Sequence, residues 1–133
     1  MADAGSTTPQ LRKLGIVPGA RWSVVGADPG WRFETAPDAA TEVGASAQAD
    51  VVLVFLRAAA ELEPAIVEHE QRVFPAGALW IAWPRKAAGH VSDLGDGVVR
   101  DAALARRLVD VKVAALDHDW SALKLVWRLQ YRE

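Results

Sequence analysis

The run Val51-Val52-Leu53-Val54-Phe55-Leu56 is apolar at every position and stops at the charged Arg57. A strand with one wet face alternates. A strand without alternation is buried on both faces, as in a parallel sheet covered by helices. Beyond it, Ile66, Val67, Val73 and Phe74 recur at helical spacing, while Glu61, Glu63, Glu68, Glu70 and Arg72 occupy other faces, which predicts an amphipathic helix. Pro64 is tolerable there only near the first turn. Phe74-Pro75-Ala76-Gly77 stops the helix, and Leu79-Trp80-Ile81-Ala82-Trp83 follows as a second buried strand. Strand, helix and strand make a βαβ unit, which is expected to be right-handed and parallel.

The rest of the chain extends this unit. Met1 to Gln10 is small and polar with nothing to bury, so a disordered tail is expected. Leu11 to Leu14 leads into the turn cluster Gly15-Ile16-Val17-Pro18-Gly19, and Arg21-Trp22-Ser23-Val24-Val25 reads as a short buried strand that ends in Gly26-Ala27-Asp28-Pro29-Gly30. Trp31 to Asp50 has only a weak pattern and fits a short helix or strand joined by loops. A loop from Pro84 to Asp96 precedes a helix of about 12 residues around Val98 to Arg107, with Val99, Ala102, Ala103 and Leu104 as its inner stripe. Val109, Val111 and Val113 alternate with Asp110 and Lys112 as a half-exposed strand, and Leu123 to Leu129 alternates again after the short connection Asp117 to Ser121. So short a link forces an antiparallel hairpin. The prediction is an α/β chain with a reduced Rossmann-like, mostly parallel sheet and a C-terminal antiparallel β-hairpin.

At 133 residues, the length suits one domain, expected over residues 11–133. A βα unit takes roughly 27 residues, which leaves no room for a separate substrate domain. The longest apolar run is far below the roughly 20 residues of a membrane span. Met1 to Gln10 lacks the basic and apolar regions of a secretory signal, so a cytoplasmic location is expected. The absence of cysteine removes thiolate metal sites, disulfides and cysteine nucleophiles. With a formal net charge of -2, the chain has no general basic field for nucleic acid.

The segment Val73-Phe74-Pro75-Ala76-Gly77-Ala78-Leu79-Trp80-Ile81 resembles the L-x-P-G-G-x-L-x-I stretch before the fifth strand of S-adenosylmethionine-dependent methyltransferases, and the terminal hairpin fits their antiparallel strands six and seven. Leu14-Gly15-Ile16 with Pro18-Gly19, Trp83-Pro84-Arg85-Lys86, Leu108 to Val113, and Trp120-Ser121 with Leu123-Lys124 are more closely similar to a family of small bacterial domains of unknown function with methyltransferase-like topology. The resemblance spans residues 11 to 129 and implies a fold; a fold does not fix an activity. Methyltransferases place G-x-G-x-G after an acidic residue in the first strand. Here Gly26 and Gly30 match the outer glycines, Asp28 replaces the middle one and Val24 replaces the acid. Asp28 adds bulk and a negative charge near where the cofactor's carboxylate would lie. The ribose-binding acid at the end of strand two has only Glu34, Asp38 or Glu42 to supply it, and losing such an anchor costs about 1–3 kcal/mol. Arg57-Ala58 stands where D-P-P-Y or N-P-P-Y would serve amine methylation. The resemblance therefore implies a domain that has lost S-adenosylmethionine, with a small methyltransferase carrying a degenerate glycine loop as the alternative.

Ligands of open parallel sheets bind at the carboxyl ends of the strands. Strand ends read from sequence put Asp28, Arg57, Trp83, Arg85 with Lys86, and Asp117 to Trp120 on one rim, with Asp93 in the nearby loop Gly89 to Asp93. Such a set suits a small anionic ligand, an acidic partner peptide or a second copy of the chain, with arginine giving forked hydrogen bonds and Lys86 a point charge. An ion-paired network that only fixes the rim is the competing expectation. His90, Asp93, Asp117, His118 and Asp119 are metal-ligating types, but neighbours on a tight turn point in different directions, so no metal is expected. Ser121, His118 and Asp117 fail as a triad for the same reason, and no G-x-S-x-G is present. Of the 6 tryptophans, Trp80 and Trp127 lie inside strand patterns, whereas Trp31, Trp83 and Trp120 fall at strand ends or in loops, where stacking, a partner interface or local packing are all open.

Overall fold

The structure is a computed structural model that describes residues 8–133. The expected disordered tail falls mostly on residues 1–7, outside the described residues. Its last residue belongs to the fold instead: Gln10 opens helix α1 (Gln10–Leu14) and is buried. A buried amide needs partners. Its Nε2 donates to the Leu116 carbonyl at 2.8 Å and its Oε1 accepts from the Glu34 N–H at 2.9 Å, so this glutamine joins two distant loops.

The strands β1 (Arg21–Val25), β2 (Thr41–Glu42), β3 (Val51–Phe55), β4 (Ala78–Pro84), β5 (Leu108–Ala115) and β6 (Trp120–Trp127) form one 6-stranded sheet in the order β2-β1-β3-β4-β6-β5. β1 pairs in parallel with β2 and β3, and β3 with β4, while β6 runs antiparallel to both of its neighbours. The mostly parallel sheet and C-terminal antiparallel hairpin expected from the sequence are both present. The hairpin folds back so that its second strand, not its first, meets the parallel part.

Every residue of β3 is buried, as its unbroken apolar run requires. Val52, Val54, Leu79, Ile81 and Trp83 face one layer, which holds Leu62 and Ile66 of α2 (Leu62–His69) and Val99 and Ala103 of α3 (Asp96–Leu104). Val51, Leu53, Phe55, Trp80 and Ala82 face the other layer, closed by Leu14 and Ile16 with Trp31 and Phe33 packed alongside. The connection from β1 to β2 holds turns and no helix, so the weak stretch 31–50 contributes only the two-residue β2. β1 is mostly half-buried, with only Ser23 fully covered, because it lies next to the short edge strand. At the far edge, a register shift between Asp110 and Lys112 breaks the expected alternation and leaves Val111 and Val113 exposed. α3 is shorter than expected and turns Leu104 toward solvent.

The second helix corrects the sequence reading of its polar face. After His69 the α-helix tightens into a 3-10 segment (Glu70–Val73), and His69, Glu70 and Arg72 are all buried. The Glu70 carbonyl accepts from the Trp127 indole at 2.9 Å, and its side chain forms a forked pair with Arg106. Arg72 donates to the Ala47 and Gly44 carbonyls at 2.8 and 2.7 Å and to His69 Nδ1 at 3.2 Å, which fixes the chain ahead of β3.

Burial pushes the His69 pKa below its ordinary value; Glu68, 3.8 Å from Nε2, opposes this and Arg72 adds to it. The unfolded chain takes up that proton near pH 6.5 while the folded chain refuses it. Stability from this site is thus fully present above about 6.5 and falls as the pH drops below it. Asp50 and Glu61, whose pKa values are lowered, add acid sensitivity only near and below the carboxylate range. Thermal melts between pH 8 and 5 should show a declining midpoint from about 6.5 downward, and His69→Gln should flatten that limb.

Candidate functional site

The chain passes from β1 outward to β2 and then returns to β3 on the other side of β1. The order of the sheet therefore reverses between β1 and β3, the position where open α/β sheets form a crevice. Above it lie Gly26 to Asp28 after β1, Arg57 after β3, Pro84 and Arg85 at the end of β4, and the turn from β5 into β6. Together Asp28, Arg57, Pro84, His90, Asp119 and Trp120 line a cleft of about 350 Å³.

Arg57 organises the rim. Its guanidinium reaches across the reversal point, with Nη1 donating to the Gly26 carbonyl at 3.1 Å and Nη2 paired with Asp28. The same group lies over the Trp120 ring, 5.3 Å from its centroid, close enough for a cation–π attraction. Its backbone N–H donates to Glu61 Oε1 at 2.6 Å, as does that of Ala58 at 3.0 Å, and these bonds lower the Glu61 pKa. Glu61 escaped the site prediction, although a glutamate at the third position of a helix entry is a known capping signal. The side-chain hydroxyl of Ser92 donates to the Arg57 carbonyl, and Asp93 accepts from the Ala59 N–H at 2.7 Å. The 89–93 loop is thereby tied to the end of β3.

Asp117 shapes the turn between β5 and β6. One carboxylate oxygen accepts from the N–H groups of Asp119 and Trp120 at 2.9 and 3.0 Å; the other accepts from the Trp31 indole at 2.9 Å. Trp31 packs edge-on against Phe55, and Phe55 against Trp120, at 4.9 and 4.8 Å. The aromatic groups over the crevice thus form a continuous stack. His90 and Asp119 pair at 2.9 Å, a bond that lowers the Asp119 pKa, and Arg85 donates to the His118 carbonyl at 3.1 Å. Among the described residues, no group of His, Asp and Glu converges as a metal site would require.

The predicted rim residues divide into separate sets. Asp28, Arg57, Asp93, Asp117 and Trp120 form one connected network, with Arg85 attached through the β5–β6 turn. Trp120 is 8% exposed, packed between Phe55 and the Arg57 guanidinium, and so offers little surface to the cleft. Trp83 is 5% exposed and packs in the helix-covered layer, so its ring is not part of the cleft. Lys86 is exposed in the short 3-10 turn Lys86–Ala88 and has no side-chain partner among the described residues. Gly26 has φ 80°, and a Cβ there would lie 2.7 Å from the Phe55 carbonyl oxygen, whereas Gly30 has open space around it.

No family model and no curated protein matches the sequence. Among solved structures, the chain is similar to a protein of the NADB-Rossmann superfamily from Streptococcus agalactiae, with TM-score 0.53 and 12% identity over 91% of this chain and 68% of the other. It is also similar to the B. subtilis M1A22 tRNA methyltransferase TrmK, with TM-score 0.52 and 11% identity over 92% of this chain and 67% of the other. At such identities the likeness concerns architecture, and the architecture of this chain is Rossmann-like and methyltransferase-like.

Proposed function

We propose that the chain is a non-catalytic methyltransferase-like domain that takes a small anionic ligand at the C-terminal rim of its sheet and has no use for S-adenosylmethionine. The observation that carries this is the position of Arg57. Its guanidinium bridges the crevice to Asp28 and the Gly26 carbonyl, in the place where a cofactor of this fold would approach the chain. The carboxylate of Asp28 opposes the cofactor's own carboxylate, and no helix follows the loop to offset that charge with its positive end.

An anion meets different conditions. The side chains of Arg57 and Asp28 are 43% and 63% exposed, and pairs so open to water contribute only about 0–1 kcal/mol. A carboxylate or phosphate can therefore replace Asp28 on the guanidinium at little cost and gain a forked contact. The ring of Trp120 lies against that guanidinium, and His90, paired with Asp119 at 2.9 Å, lines the same cleft.

Tryptophan fluorescence melts with about 1 mM phosphate, citrate, nucleotides, S-adenosylmethionine or S-adenosylhomocysteine test the proposal. A ligand of Kd near 10 μM adds about 2.7 kcal/mol, a shift of roughly 10 °C at this size. One of the anions should give such a shift, Arg57→Gln should abolish it, and the adenosyl compounds should give none. A shift with an adenosyl compound would favour the alternative, a small methyltransferase with a degenerate glycine loop, whose support is the fold shared with a tRNA methyltransferase. Asp28→Gly should then strengthen binding. If nothing shifts, the anion proposal fails and the rim is left to a protein partner.

A further inference from the structure

Beside the rim and sharing Trp31 with its aromatic stack, on the sheet face that carries α1, Trp22 of β1 and Trp31 and Phe33 of the β1–β2 connection line a cleft of about 330 Å³ bordered by Glu42. The geometry points to this cleft as a binding site for a free quaternary ammonium compound. Phe33 meets Trp22 at 5.3 Å and 87° and Trp31 at 4.9 Å and 71°, so the rings stand as nearly perpendicular walls. All of them are half-buried, which leaves part of their surface to the cleft. Perpendicular rings present electron-rich faces and apolar area together, the combination that alkylated ammonium groups require.

Charge selects the ligand further. Glu42 is exposed and has no hydrogen-bond or ion-pair partner among the described residues, so its carboxylate favours a cation and repels an anion. Arg32 also borders the cleft, but its guanidinium donates to the Pro29 and Trp31 carbonyls at 3.4 and 3.0 Å and is thereby directed at the backbone. A primary ammonium is strongly hydrated and would lose more on entering these walls than a methylated one.

The cleft is also held in shape before any ligand arrives. The Trp31 indole donates to Asp117 at 2.9 Å while its ring packs on Phe55 at 4.9 Å, and Trp22 lies in the β1 ladder against both neighbouring strands. Rigid walls lower the ordering cost of binding. The buried Trp22 Nε1 has no acceptor among the described residues, so its N–H resonance is a reporter at the wall itself. A cleft of this size suits a small metabolite.

Titration with choline, followed by tryptophan fluorescence and the Trp22 indole N–H resonance, should give saturable changes in both. The uncharged tert-butyl analogue of choline should bind at least roughly fivefold more weakly, because it keeps the shape and loses the cation–π and carboxylate attraction. Glu42→Gln lies on the surface and should weaken choline several-fold without moving the melting temperature; Phe33→Leu should remove most binding while preserving volume. The assignment is overturned by an absence of saturable change, by equal affinity for the two analogues, or by unaltered choline binding in Glu42→Gln. Tighter binding of a trimethyl-lysine peptide than of choline would overturn the identification of a free compound as the ligand.

Discussion

Replacing Trp80 with alanine should destabilise the protein by about 3–5 kcal/mol, the range for removing a buried tryptophan, and lower its melting temperature by roughly 10–20 °C. Trp80 is fully buried in the middle of β4, and its indole N–H donates to the Leu14 carbonyl at 3.0 Å. The residue therefore fills the layer beneath α1 and also ties that helix to the sheet. Trp80→Phe separates the two roles. It keeps most of the ring but leaves the Leu14 carbonyl without its donor, for an expected loss of about 1–3 kcal/mol. Urea unfolding followed by circular dichroism would measure both variants. If the alanine variant lost less than the phenylalanine variant, Trp80 would not be the anchor of this layer.

A comparable effect is expected from a much smaller change, Gly26→Ala. The added methyl group would sit 2.7 Å from the Phe55 carbonyl oxygen, on a backbone at φ 80°. A left-handed alanine costs about 1–2 kcal/mol, and the clash with main chain adds to it because neither strand can move independently. Gly30→Ala meets open space and should stay within about 0.5 kcal/mol of the unaltered protein. Melting curves of the pair show which glycine the fold demands. Equal losses at both positions would mean that the loop is constrained as a unit, and the packing explanation for Gly26 would fall.

The parts of the fold that were legible in the sequence are those governed by burial period. The run Val51 to Leu56, the stop at Pro75 and the strand around Trp80 all stand where burial and turn chemistry put them. What misled was the assumption of a continuous period. The faces of Glu70 and Arg72 were read as solvent-facing because an uninterrupted α-helix would point them outward, yet the chain tightens after His69 and turns both inward. Leu104 joins the inner stripe only if the helix runs on past it; as the last residue of α3 it lies 40% exposed, while Val99 and Ala103 carry the buried face.

At the candidate site, strand ends located Arg57, Asp28 and Asp117 at one rim because a parallel sheet aligns its carboxyl ends. Trp83 was assigned by position alone. Strand parity puts it with Leu79 and Ile81, opposite Trp80, in the helix-covered layer. Strand ends bring Arg57 and Trp120 to one rim but do not give the individual contacts of Arg57 with the Gly26 carbonyl and the Trp120 ring, since each joins residues far apart in the chain whose approach depends on the loops.

The edges of the sheet have a consequence for assembly. One border is a strand of only 2 residues; the other carries the irregularity at Val111 and the charged Lys112. A visiting strand needs a straight row of free amides and carbonyls, and a bulge or a lysine at an edge denies it one. Both borders are therefore poor templates for another chain, which counts against fibril-like stacking even though Val111 and Val113 lie open to water. Such borders favour association through side chains, on a face or the rim, over lengthening of the sheet.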